Sequence, residues 1–533
     1  MSPTMMKNLS PLARWLSQLA TVVCTGLLAV AAQAAAPGIT AAPTAGSSST
    51  FNLTAAPSYI TQPDGASIYA WGYGCSGGST PSFAPAAIGG ANCPTMQIPG
   101  PTLIVKEGQV VSITLTNNLP AAAGNTSILF PGFAVSSSGG TPGVLTQEAA
   151  TGSSVTYTFT ATHPGTHTYY SGTQGDLQVE MGLYGALIVL PTAVPANAPG
   201  VVPANCANGK PNDLAKTANG EADFRLAAAA YDNSASCYDR EYLFQFSEMD
   251  PLIHRQAETQ KDLPCARPNG CMSIATEPYH PAYFLINGRS MPDLMDPNYA
   301  VQYPHQPYNG NPHMHPGELV LLRVVGTGRW QHPFHEHGNH VRVLARDGNL
   351  LLSSSDPSKL AGPLLFTTTT TPGTTLDGIF YWTGKGLNWD VYGHTANDTS
   401  TCIPDVNGYY TADPAAPNYY EWCQDHAKPL EAHPFGAVGS GGPVTLPDPN
   451  IVANGAWYGG SPYLGPEATA RAVGSTPIPP SGTVANSPSQ EAGFAYMWHS
   501  HNEREITTNN AFPGGAMMMM LVDPRAYPIN EAN

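Results

Sequence analysis

Basic residues are scarce in this chain: its 533 residues carry 21 Lys and Arg against 37 Asp and Glu, a formal net charge of −16. No Lys/Arg cluster interrupts that balance, so nucleic acid and anionic membrane surfaces are poor partners, and small neutral or cationic ligands suit it better. Charged residues of either sign make up only 11% of the sequence, which disfavours long solvated helices. Beyond residue 34 no apolar run is long enough to span a bilayer. C-x-x-C spacing is absent, which argues against cysteine-bound zinc. Also missing are a nucleophile elbow, a phosphate-binding loop and a zinc-protease helix.

What is plentiful is glycine and proline, 54 and 52 residues, a composition of short strands and turns that points to an all-β fold. Lys7 and Arg14 precede the apolar run LATVVCTGLLAVAA, and Ala32-Gln33-Ala34 supplies a small-x-small cleavage pattern. Residues 1–34 therefore read as an export signal, with a periplasmic or extracellular destination. Residues 35–50, rich in Ala, Ser, Thr and Pro, read as a flexible leader. TLIVKEGQVVSITLTNNL (102–119) reads as a strand pair about a Glu-Gly turn, and SVTYTFT, THTYY and YGALIVL continue the strand signature, making 51–195 the size of one β-sandwich. A linker over 196–220 leads to a second block, 221–525, carrying EYLFQFSEM, LVLLRVV, HVRVLARD, GIFYWT, FAYMWHSH and MMMMLVD. Within it, about 386–488 has almost no strand pattern and reads as a long loop insertion, a cover for a site or a surface for a protein partner. Eight cysteines follow the signal, Cys75, Cys93, Cys206, Cys237, Cys265, Cys271, Cys402 and Cys423. Pairing between sequence neighbours is expected, although sequence alone does not fix the connectivity.

Histidines concentrate in two places. QHPFHEHGNH holds His332, His335, His337 and His340, and WHSH holds His499 and His501. On strands, His335 shares a face with His337, and His499 with His501, so two adjacent strands can aim four imidazoles at one point. Imidazole serves copper, zinc and iron alike. A lone H-x-H is more often solvated or core histidine; two pairs in one block raise the metal reading to parity. His313-Met314-His315 has the same spacing but reads as a solvated turn in a Pro/Asn/Gly loop, and Asp293 and Asp377 read as turn residues.

IPGPTLIVKEGQVVSITLTNNLP, PGTHTYY with GLYGALIVLP, FLINGRSMPD, HPFHEHG and WHSH, in that order, resemble the successive signatures of the multicopper oxidases. The resemblance spreads over most of residues 98–525 and implies two cupredoxin-like Greek-key β-sandwich domains. Family members draw electrons from a reductant through a type 1 copper and reduce oxygen at a trinuclear cluster. By that resemblance His332 stands at the type 1 position, while His335, His337, His499 and His501 stand at the cluster. The family's H-C-H carries the type 1 thiolate in its centre; here it is Ser500, a hard, normally protonated donor unsuited to blue copper. Glu505 replaces a downstream histidine, and Met517 to Met520 read as a strand. In the first block Leu129-Phe130-Pro131-Gly132 and Tyr169-Tyr170-Ser171-Gly172 stand where the family has H-W-H-G and Y-H-S-H, so four cluster histidines are missing. His167 has the wrong strand parity to compensate.

The expectation is therefore an exported protein that binds one copper ion, with zinc or iron as alternatives, through the second-block histidines. It is an atypical oxidoreductase without type 1 copper or a complete cluster, using a small reductant or oxygen. His332 with Glu505 or Glu503 is a candidate second, harder site. The alternative is a non-catalytic structural or partner-binding protein that uses the 386–488 insertion.

Overall fold

The computed structural model describes residues 35–41, 48–77, 81–86, 88–192, 220–385, 403–414, 416, 419–420, 422–424, 460–464, 492–523, 529 and 531, with backbone alone for 460–464 and 492–494. The signal segment, Cys206, Cys402 and most of the 386–488 insertion lie outside them. Among the described residues, no helix is long and apolar enough to cross a membrane.

Two pairs of sheets stack on each other. The first pair joins Gly165–Tyr170, Tyr184–Leu190, Leu103–Lys106, Gly38–Thr40 and Ser82–Ala84 in one sheet, in that order. Its companion sheet runs Ser67–Cys75, Ser48–Thr61, Val110–Asn117, Ser154–Thr160 and Ser136–Gly139. Half-buried alternation is clear in SVTYTFT, where Val155, Tyr157 and Phe159 enter the core and the threonines between them do not. The YGALIVL run is apolar throughout because both its faces are covered: Leu187 and Val189 face the first core, and Ala186 and Ile188 meet the second sandwich.

Two expectations need correction here. Leu103–Lys106 and Val110–Asn117 do not pair; they belong to opposite sheets, so the turn containing Gly108 is a corner crossing the sandwich, not a hairpin. The leader is also not free at its start. Gly38–Thr40 pairs parallel with Leu103 and Ile104 and antiparallel with Ser82–Ala84, and Ala35, Ala36 and Ile39 are buried. Gly38 permits that docking, because a Cβ there would stand 2.5 Å from the Thr102 carbonyl.

The second pair has a sheet ordered Tyr283–Ile286, Arg240–Met249, Leu319–Gly326, Thr375–Tyr381, Val341–Arg346 and Asn349–Leu350, with Leu364–Leu365 added to Val341–Arg346. Facing it is a sheet ordered His313–Met314, Met517–Val522, Ala492–Ser500, His332–Glu336 and Thr367–Thr370. Inside the insertion, Gly460–Leu464 forms a strand on Ala492–Ser500, which strand pattern alone does not reveal. The core between these sheets takes Tyr242, Phe244 and Phe246 from one side and Phe334, Trp498, Met518 and Met520 from the other. The methionine run is a strand, as expected.

The two sandwiches meet through the outer face of the first sheet and the larger sheet of the second pair. Ile104 and Ile188 pack on Leu243 and Val325, and Ile98 and Tyr184 on Met249 and Leu285. The helix Pro251–Gln260, capped by the Asp250 carboxylate on Leu252 N, comes from the second block yet sends Ile253 and Ala257 into the first core. Disulfides join Cys75 to Cys93 and Cys265 to Cys271, neighbours as expected. Cys237 and Cys423 are also disulfide-bonded.

Candidate metal centre

The strand His332–Glu336 lies between Ala492–Ser500 and Thr367–Thr370. Its register sets His335 opposite His499, and Phe334 opposite Ser500. Since facing residues share a side, the two histidines stand on the outer face, while Phe334 and Ser500 point inward. His337 follows by the same alternation.

The four rings converge. The His335 ring centroid is 4.8 Å from His337, 5.4 Å from His499 and 4.7 Å from His501. His499 stands 5.2 Å from His337 and 5.5 Å from His501. One ligand nitrogen from each of His335, His337 and His499 falls within a 4.8 Å group. Imidazoles sharing one ion at about 2 Å lie within about 4 Å of each other, so a small ring rotation completes the set. His499 Nδ1 donates to the Ser500 carbonyl at 2.7 Å, which fixes the tautomer and leaves Nε2 turned to His337 Nε2, 3.3 Å away. His335 Nδ1 is held by Thr367 Oγ1 at 2.7 Å. His501 completes the ring of imidazoles from a half-exposed position, its Nδ1 3.5 Å from Glu503. Burial, and then the neighbouring rings of His337, His499 and His501, push His335 down to about 4, and burial lowers His499. Neutral imidazole is the form that binds metal, so three imidazole donors with an adjustable fourth fit one copper, zinc or iron ion.

On the inner side the chemistry differs. His332 is 1% exposed and clamped between two carboxylates: Nδ1 lies 2.7 Å from Glu505 Oε2 and Nε2 2.9 Å from Glu248 Oε2. Burial alone would lower its pKa, but the hydrogen bonds to Glu248 and Glu505 outweigh it and raise the ring to about 9. Ser500 Oγ donates to the same Glu505 Oε2 at 2.5 Å, and Asn502 Nδ2 donates to Oε1 at 2.9 Å. Glu248 Oε1 accepts from the backbone N–H groups of Arg329, at 2.6 Å, and Trp330, at 2.9 Å. A type 1 copper does not fit this donor set: there is no thiolate, and both nitrogens of a charged imidazole are engaged. His332 thus stands apart from the quartet. Of its two suggested partners, Glu505 is in contact and Glu503 belongs to His501. Glu248 was not singled out from sequence. It comes from a strand 84 residues away, and its only local trace is a glutamate near the end of the strand EYLFQFSEM, which carries another at its start.

The first sandwich brings no histidine to its corresponding positions. Phe130 and Tyr169 are core residues. Leu129, Tyr170, Ser171 and Gly172 help line a cavity of about 310 Å³ against Thr327 and Pro372 of the second sandwich. His167 is buried with Nε2 on the His163 carbonyl at 2.9 Å. His313 and His315, expected in a solvated turn, are instead buried: His313 pairs with Asp523 and His315 with Glu221, each at 2.5 Å. The strand His313–Met314 beside Met517–Val522 takes His313 inside, and His315 follows with Nδ1 on the Asp523 carbonyl.

Residues 93–194 match the family model described as multicopper oxidase, so the resemblance read from the motifs holds over that span, which includes the GLYGALIVLP signature. Similar solved structures include a multicopper oxidase called mgLAC, 15% identical, covering 90% of this chain and 88% of its own, with a TM-score of 0.42. A blue copper oxidase from Nitrosomonas europaea is 14% identical, covering 88% and 85%, with a TM-score of 0.43. A copper nitrite reductase from Nitrosomonas europaea is 19% identical, covering 62% and 83%, with a TM-score of 0.36. No curated protein sequence matches the chain. The architecture is all-β, two sandwiches each built from a stacked pair of sheets.

Proposed function

We propose that this is an exported copper protein of multicopper oxidase type that holds a single ion at His335, His337 and His499, with His501 as a fourth arm, and acts as an atypical oxidoreductase. The observation that carries this reading is the gathering of three imidazole nitrogens within 4.8 Å on one sheet face. We take the domains as residues 51–195 and 221–525, joined by 196–220, with the docked strand Gly38–Thr40 added to the first and export directed by residues 1–34.

Bound there, copper would supply one-electron redox chemistry and an open coordination position. The chain's own residues do the rest. Thr367 and the Ser500 carbonyl orient two of the rings, Phe366 lies edge-on to His335 at 5.7 Å, and the buried carboxylates confine His332 to a structural ion cluster. No electron route through a type 1 copper is assigned, since the residues present do not fit one.

The test is metal analysis of the purified mature chain after copper loading and dialysis. About one equivalent per chain is expected, with a weak visible spectrum, and a His335→Ala/His499→Ala double variant should retain less than a tenth of it. If wild type and double variant both fold and neither holds metal, the protein is instead a non-catalytic partner-binding sandwich. An intense blue band would overturn the absence of type 1 copper, and rapid four-electron oxygen reduction with a phenol would overturn the absence of a complete cluster.

A further inference from the structure

The outer face of the larger sheet in the second sandwich carries a feature the metal site does not use. Alternation along Val341–Arg346 sends Val341 and Val343 into the core and places Arg342 and Leu344 on the opposite face, with His340 just before them. Register sets Arg342 beside Ile379 on one neighbouring strand and Leu364 on the other. These side chains line a cavity of about 430 Å³, within the range of small-molecule sites.

Its walls are mostly aliphatic, but its centre is charged. Arg342 is half-buried, NH1 donates to the Gly362 carbonyl at 2.7 Å, and among the described residues it pairs with no carboxylate. Acids outnumber bases heavily in this chain; of the other buried arginines, Arg240 and Arg323 pair with carboxylates and Arg289 is held by four backbone carbonyls, whereas Arg342 has one carbonyl. The His340 ring also lacks a hydrogen-bond partner among the described residues and meets the Phe366 ring at 5.3 Å. Leu364, on the cavity wall, is 54% exposed, so the mouth is open to water. A wholly apolar ligand would bury the guanidinium uncompensated, and a polyanion would waste the aliphatic walls and find one cation only. A planar carboxylate matches the guanidinium fork.

We propose that this cavity binds an apolar monocarboxylate, its carboxylate on Arg342 and its hydrocarbon body along Leu360, Leu364 and Ile379. His340 lines the cavity and meets Phe366, which meets His335, so two rings separate the cavity from the proposed metal centre. The site stands without the metal.

Titration calorimetry of the full mature chain, stripped of metal by a chelator, tests it with octanoate as probe and octanamide and acetate as comparators. Octanoate should bind saturably, one per chain, and at least tenfold more tightly than either comparator. Arg342→Gln should weaken octanoate at least tenfold while leaving octanamide unchanged. Leu364→Trp, at a half-exposed position that tolerates bulk, should block octanoate with the guanidinium intact. Equal affinity for octanamide, or full octanoate affinity in Arg342→Gln, overturns the anion assignment. Absence of octanoate binding overturns the site altogether, as when another segment of the chain fills the cavity. Because no copper is present, none of these outcomes depends on the metal reading.

Discussion

Ser500 occupies the slot between two imidazoles of the quartet but faces the other way, and its hydroxyl is committed to Glu505. Restoring sulfur there is not enough to restore a blue site. Ser500→Cys should load no additional copper and show no intense band near the thiolate-to-copper region in its absorption spectrum, because His332 stays clamped by Glu248 and Glu505. Those two carboxylates also make His332 a stability element. Its pKa is raised on folding from about 6.5 to about 9, so the stabilisation is complete below pH 6.5 and disappears as pH climbs through 9. Roughly 3 kcal/mol is at stake. Denaturant titrations from pH 6 to pH 10 should show wild type losing that amount. His332→Gln should be on the order of 3 kcal/mol weaker at pH 6, with two buried carboxylates left uncompensated, and nearly flat across the same range.

At the scale of strands, alternation was a reliable guide where a strand is straight and its pairing local. It put His335 and His337 on one face and His499 and His501 on another, and the register then brought the faces together. It could not tell a hairpin from a corner. TLIVKEGQVVSITLTNNL has the alternation of a strand pair, but the two strands part to different sheets, because pairing partners are chosen by residues far away in sequence. The buried status of His313 and His315 was hidden for a similar reason: their partners Asp523 and Glu221 lie outside their own loop. The Gly38–Thr40 strand sits in a stretch whose Ala/Pro-rich composition suggests slack, and only the close approach to Thr102 explains its glycine. Gly38→Val should detach this strand and cost on the order of 1–3 kcal/mol by overpacking, read as a lower midpoint in thermal unfolding.

Across the whole molecule the two sandwiches are fastened by a buried polar clamp. Asp377, expected in a turn, lies within the strand Thr375–Tyr381 and accepts from Thr166 N at 3.0 Å, Thr166 Oγ1 at 2.6 Å and Tyr231 OH at 2.5 Å. Arg323, held by Glu241 at 2.8 Å, also donates to Thr166 Oγ1 at 3.2 Å. With apolar residues of both sandwiches also packed together across the junction, calorimetry should record one cooperative unfolding transition. Asp377→Ala, which leaves Arg323 short of negative charge, should lower stability by about 3 kcal/mol and broaden or split that transition.

The clamped His332 also dictates how any donor must behave. Under the proposed function, a fixed imidazolium between two carboxylates stands where a type 1 copper would pass electrons on, so the described residues provide no copper relay beside the imidazole quartet. A donor has to touch the quartet itself. For the proposed oxidoreductase, girth, more than reduction potential, would then sort the molecules able to donate.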